Sequence, residues 1–344
     1  MDKSHRQPYL STPQQPNQDP TCNIRVDNLR GWQVQRAAAN RVAEAAAAAG
    51  YQAHAQRMRD CGHLLGGEYC PHCGRVHITR GNSCRVRLCP ICGWRLTAKL
   101  YTQLTAELAE LQHRYPAAEY IWLTLTLRNG TDPAKLREDM RRMATAWTSI
   151  ARRRTTQRWL IGAIRKSELK LAKDGRTYNQ HIHVLAAVHP VYFKGQCYIS
   201  KDKWAAMWRE AAHADYTPNI DVRKVRGDAT GAAEVATYAV KPQDLVTRRK
   251  SLRAQARAYD VMATTLHGLR LYGWSGEWRA IRRDLAHGDV ETMSLDDITE
   301  GRCITCGTPL EQAMLRMSRQ DYEVQSIIAA GREVYRRGAS DDGD

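Results

Sequence analysis

Between Tyr120 and Arg128 the chain reads YIWLTLTLR, with Ile121, Leu123, Leu125 and Leu127 on one parity and Thr124 and Thr126 on the other. That period of two is the signature of a half-buried strand. Two more alternating runs, Trp159 to Leu171 and Tyr178 to Val188, lie on either side of Asp174-Gly175, a strong hairpin signal. A shorter strand is expected from Asn219 to Val225. Helical spacing dominates elsewhere. An alanine-rich run from Val34 to Met58 breaks at Gly50, and further helices are expected from about Arg95 to Leu111 and from Pro133, behind an Asp132 cap, to about Arg154. Others run from Lys201, behind Ser200, to Ala212, from Gly231 to Val240 before Pro242, from about Thr247 to Leu266, and from about Pro309. LHGLRLYGWSGEW at 266–278 reads as a glycine-punctuated turn or hairpin. Strands and helices alternate irregularly around one hairpin, so the expected class is α+β, a central antiparallel sheet with flanking helices, plus a Cys-rich zinc-binding segment.

The chain divides by composition. Residues 1–30, rich in Pro, Gln, Asn and Ser, are expected to form a disordered arm, because they bury too little to offset their ordering entropy. The alanine-rich helix occupies 31–60, a cysteine-rich segment and its helix 61–115, the sheet-containing domain 116–280, and a C-terminal segment with a Cys-x2-Cys pair and an acidic tail 281–344.

Charge narrows the partners. Fifty-two Lys and Arg against 36 Asp and Glu leave a formal net charge of +16, which suits a polyanion, most often nucleic acid. Without an apolar run of about 18 residues or a leader pattern, a cytoplasmic, membrane-free setting is expected. There the ten cysteines read as metal ligands or buried thiols rather than disulfides. Cys70-x2-Cys73, fifteen residues, then Cys89-x2-Cys92 has the spacing of a four-thiolate structural zinc site. Cys61 and Cys84 fall in the same stretch and leave the ligand partition open, with His63, His72 and His77 as substitutes. Cys303 and Cys306 form a half-site that either joins the leftover thiols or stays free, and Cys22 and Cys197 read as unliganded.

Two constellations carry possible chemistry. His181 and His183, two apart on a strand, point to the same face and can chelate one ion. If Asp174 and Gly175 are a two-residue turn, Lys173 faces Arg176, and Glu168 falls opposite His181. Glu168, His181 and His183 then share a polar face, while Leu169, Leu171, Ile182 and Val184 share the apolar one. One carboxylate and two imidazoles with open coordination positions suit Mg²⁺ or Mn²⁺. In EVATYAVK, Glu234, Tyr238 and Lys241 line one helical face. There the tyrosine could attack a phosphodiester, the carboxylate take a proton and the lysine lower the tyrosine's effective pKa.

TLTLRN at 124–129, HIHVLAAV at 181–188 and EVATYAVK at 234–241, in that order, resemble the three motifs of the HUH rolling-circle initiators. The pattern is most similar to plasmid replication proteins in which a glutamate stands four residues before a single tyrosine. CRVRLCPICGWR at 84–95 and LHGLRLYGWSG at 266–276 extend the resemblance over roughly 61–276. It implies that His181 and His183 bind the metal, that Glu168 occupies the acidic position before them, and that Tyr238 is the nucleophile. Glu234 would activate water or assist strand transfer at termination, with Lys241 beside the tyrosine, and Cys61, Cys84, Cys89 and Cys92 would be the commoner zinc set. The implied activity is origin-specific single-strand DNA cleavage and joining through a tyrosine–DNA intermediate, in a bacterial cytoplasm and with a host helicase and polymerase as partners. Basic side chains at 132–154 and 248–257 would position the DNA backbone. The alternatives are a zinc-dependent, non-catalytic DNA-binding regulator, which leaves the histidine strand and EVATYAVK unexplained, and an HUH relaxase or transposase. A tyrosine about fifty positions after the histidines disfavours the relaxase, and the zinc-like segment a minimal transposase.

Overall fold

The computed structural model describes residues 24–227, 235, 245, 251–290, 301–318 and 322–338. The described residues form two compact units that interleave along the chain: those within 1–31, 63–81 and 297–344 form one, and those within 32–62 and 82–296 the other.

The smaller unit is a six-stranded sheet of β1 (Arg25–Asp27), β2 (Leu64–Tyr69), β3 (Arg75–Gly81), β9 (Glu311–Met317), β10 (Val324–Ala329) and β11 (Arg332–Arg336), in the order β1-β3-β2-β9-β10-β11. β1 lies within the stretch expected to be an arm. It pairs in parallel with β3, and Asp27 receives both Arg75 Nε and Nη2 at 3.1 Å. The helix expected from Pro309 is instead strand β9. EQAMLRM is rich in helix formers, but Ala313, Leu315 and Met317 are buried in alternation, and the segment pairs with β2 on one side and β10 on the other. Tertiary pairing overrides local propensity here.

The larger unit carries helices α1 (Leu29–Ala48), α2 (Gln52–Asp60), α3 (Pro90–Arg114), α4 (Pro133–Arg152), α5 (Arg154–Gln157), α6 (Lys201–Ala211), α7 (Leu252–Leu266) and α8 (Glu277–Asp284). The first turn of α1 belongs to the smaller unit by the division above. The sheet consists of β4 (Glu119–Thr126), β5 (Leu160–Leu171), β6 (Tyr178–Val188), β7 (Ile220–Val225) and β8 (Tyr272–Gly276), antiparallel throughout in the order β7-β4-β6-β5-β8. Asp132 accepts from Ala134 N to cap α4, and Ser200 accepts from Lys203 N to cap α6. One face of the sheet, with Ile121, Leu123, Leu125, Ile182 and Val184, is covered by Met143, Trp147 and Ile150 of α4 and by Trp204 and Trp208 of α6. Each such side chain contributes roughly 1.5–3 kcal/mol of burial. Alternation then turns the intervening polar positions to the opposite face.

Glu107 on α3 has no exposed surface and receives Nε1 of Trp274 and of Trp278, each at 3.0 Å, with Nδ1 of His287 at 2.9 Å and the Arg282 guanidinium. This hub ties the glycine-punctuated segment to α3. Gly276, at φ +61°, makes the turn between β8 and α8, and a Cβ there would lie 2.4 Å from the Ile161 carbonyl oxygen. Glu107→Ala would strand a buried arginine and two indole N–H groups. It is expected to cost about 3–5 kcal/mol in urea denaturation, and a loss below about 1 kcal/mol would make the hub incidental.

Candidate active site and metal centres

β5 and β6 pair in the register that sets Glu168 directly opposite His181 and Lys166 opposite His183. The connection is wider than two residues. Ala172 N donates to Thr177 O at 2.8 Å, closing a loop over 173–176, and Asp174 Oδ1 accepts from the backbone N–H groups of Arg176 and Thr177. The ladder continues unbroken into this loop, so facing residues keep the pairing expected for the tighter turn.

Glu168, His181 and His183 converge. Their ligand atoms lie within 4.8 Å of one another, with Nε2 of His183 at 3.0 Å and of His181 at 3.2 Å from the same Glu168 Oε2. Lys166 and Lys170 approach the carboxylate at 3.7 and 3.0 Å. Burial pushes the Glu168 carboxyl up, but hydrogen bonds from the two histidines and the Lys166 charge outweigh it and hold the group well below the usual carboxylate range. Burial lowers the pKa of His183 despite its bond to Glu168. Its ring also packs on Trp122, with centroids 5.2 Å apart.

The far side of each imidazole is engaged. His183 Nδ1 lies 3.1 Å from Thr124 Oγ1, the residue paired with it across β4 and β6. His181 Nδ1 lies 2.9 Å from Asn179 Oδ1, while Asn179 Nδ2 donates to Asn129 Oδ1 at 3.0 Å. With its amide so oriented, Asn179 offers an acceptor to His181 Nδ1. Histidines oriented from behind by polar partners are the usual furniture of a metal site, so the donor set fits a divalent ion. Lys166 and Lys170 were visible in the sequence as even-parity neighbours of Glu168, and Asn179 as a neighbour of His181. Thr124 required the pairing of β4 with β6.

Glu234, Tyr238 and Lys241 lie outside the described residues, so their relation to the histidines is carried by the sequence alone. A cavity of about 600 Å³ between α4 and β8 is lined by Trp147, Arg152, Arg165, Arg270, Trp274 and Arg279, and does not include His181 or His183.

Among the described residues, eight cysteines fall into two groups of four, and Cys197 joins neither. Cys61, Cys84, Cys89 and Cys92 form one, within the larger unit, and Cys70, Cys73, Cys303 and Cys306 the other, within the smaller. In the first, Cys92 Sγ lies 3.6 Å from Cys61 Sγ and 3.7 Å from Cys84 Sγ. Zinc–sulfur bonds of about 2.3 Å at tetrahedral angles separate sulfurs by about 3.8 Å, so this group could hold a metal ion. Hydrogen bonds from Cys61, Cys84 and Cys89 hold the Cys92 thiol well below its ordinary range. Cys61 closes α2, and Cys89 and Cys92 open α3. Buried Arg36 donates to the carbonyls of Met58 and Cys61 at 3.0 and 2.9 Å, fixing the first ligand.

Residues 75–321 match the Replication protein family, and the chain belongs to it, a family of plasmid rolling-circle replication initiators. It is 30% identical to Protein rep of Lentilactobacillus hilgardii over 254 residues, 71% of this chain and 79% of that protein. It is 29% identical to Protein rep of Streptococcus pneumoniae over 264 residues, 74% of this chain and 79% of that protein. No solved structure matches. Among the described residues no helix is long and apolar enough to cross a membrane.

Proposed function

We propose that this chain initiates plasmid replication by nicking one strand of the origin through Tyr238, with Glu168, His181 and His183 holding Mg²⁺ or Mn²⁺. The observation that carries the reading is the convergence of two back-oriented imidazoles on one buried carboxylate oxygen. A divalent ion bound there supplies Lewis-acid polarisation of the scissile phosphate. The Tyr238 oxygen attacks phosphorus, the bond from phosphorus to the 3′ oxygen breaks, and the 5′ phosphate stays on the tyrosine. The phenolic proton leaves to a base, the 3′ oxygen gains one, and the free 3′-hydroxyl primes a host polymerase while a host helicase opens the duplex. Lys241 stabilises the phenolate. An unpaired phosphodiester suits this attack, so the substrate is single-stranded or extruded from supercoiled DNA. Basic residues of α4 and the 248–257 stretch hold the backbone, and the Cys61, Cys84, Cys89 and Cys92 set holds a structural zinc. Incubation with supercoiled origin plasmid should yield nicked circles with Mn²⁺ and none with EDTA. Binding without nicking under both conditions would leave a DNA-binding regulator instead.

Termination assigns Glu234 a separate task. Its carboxylate takes a proton from water, whose oxygen displaces Tyr238 from the phosphate. Glu234→Ala should therefore keep the first nick but lengthen the life of the Tyr238–DNA adduct, and displaced strands should run past unit length. Equal loss of initiation and termination would place Glu234 in the service of the tyrosine or the metal. An unchanged adduct lifetime would reduce it to a surface ion pair.

A further inference from the structure

The smaller unit holds a repeated local structure. Cys70-Pro-His-Cys73-Gly74 joins β2 to β3, and Cys303-Ile-Thr-Cys306-Gly307 precedes β9. In the first, Gly74 N donates to Cys70 O at 3.0 Å and Cys70 N to Arg75 O at 2.8 Å. In the second, Gly307 N donates to Cys303 O at 2.8 Å and Cys303 N to Thr308 O at 2.9 Å. Both glycines adopt positive φ, +67° and +71°. The sulfurs are cradled alike: the N–H groups two and three residues on donate to Sγ of Cys70 and of Cys303, and the N–H two residues on donates to Sγ of Cys73 and of Cys306. The two loops face each other sulfur to sulfur, with Cys70 Sγ 3.5 Å from Cys306 Sγ and Cys73 Sγ 3.7 Å from Cys303 Sγ. These separations match the edge of a zinc tetrahedron, about 3.8 Å, and far exceed a disulfide bond of about 2.05 Å.

We propose that Cys70, Cys73, Cys303 and Cys306 form a second structural zinc site that clips the C-terminal strands β9–β11 to the β2–β3 hairpin. Ligands from chain positions 230 and 236 residues apart make this site a cross-link added to the β2–β9 ladder, one that forms only once the C-terminal cysteines are present. The two zinc sites differ in accessibility. Cys61, Cys84, Cys89 and Cys92 are all buried, whereas Cys306 is exposed and Cys73 half-buried. The second ion is therefore the one that a chelator reaches first.

Elemental analysis of the full chain, purified without added chelator, should give two zinc ions per molecule. The double variant Cys303→Ser/Cys306→Ser should give one. A colorimetric chelator should draw zinc from the native protein in two phases of equal size, with the fast phase missing from the variant. Should the variant fail to fold, the native protein decides alone. Alkylation during chelation, mapped by mass spectrometry, should label Cys70, Cys73, Cys303 and Cys306 before the other four. One zinc per native chain, iron in its place, disulfide-linked peptides within this group, or labelling in the opposite order would each overturn the assignment.

Discussion

With His181 or His183 replaced by alanine, metal-dependent nicking is expected to fall by more than about 100-fold while origin binding persists. The scale follows from partners behind a metal ligand, whose removal typically costs about 10–100-fold in affinity or activity, so loss of a ligand itself costs more. The same reasoning grades the outer residues. Asn179→Ala frees the His181 ring, and Thr124→Val removes the hydroxyl behind His183; each should weaken Mn²⁺ binding by about 10–100-fold and be rescued by excess Mn²⁺, which the histidine variants are not. Titration calorimetry with Mn²⁺, paired with nicking rates across Mn²⁺ concentrations, reads both effects. Native activity in His183→Ala would reduce the cluster to a buried polar network around Glu168.

The residues of this cluster were legible because strands impose parity. Once Tyr178 to Val188 and Trp159 to Leu171 read as a hairpin, the position of the turn fixed which residue faces His181, and the structure pairs Glu168 with it. The turn is wider than the two residues that Asp174-Gly175 suggests. The register survived because the wider loop is centred on the same point, with Asp174 capping its backbone. Features that depend on distant chain were not legible. EQAMLRM has the composition of a helix and becomes β9 because β2, more than two hundred residues earlier, offers it an edge. The grouping of Cys303 and Cys306 with Cys70 and Cys73 depends on that same pairing. Spacing alone favoured joining Cys70 and Cys73 to Cys89 and Cys92, yet the fold sends the two pairs to different units. Glu107 sits in an amphipathic helix like any surface carboxylate, and nothing local signals that two tryptophans, an arginine and a histidine converge on it.

Tyr238→Phe removes only the nucleophilic oxygen, so nicking should drop by more than about 10³-fold and covalent attachment to DNA should vanish, with origin affinity and zinc content unchanged. The direct measurement is to incubate the native protein with an origin oligonucleotide labelled downstream of the nick site and Mn²⁺, isolate the species that migrates as protein–DNA under denaturing conditions, and sequence the peptide carrying the nucleotide. The adduct should map to Tyr238, require Mn²⁺, and be absent from both Tyr238→Phe and His183→Ala. An adduct on any other residue, or one formed equally well in excess EDTA, would contradict this assignment.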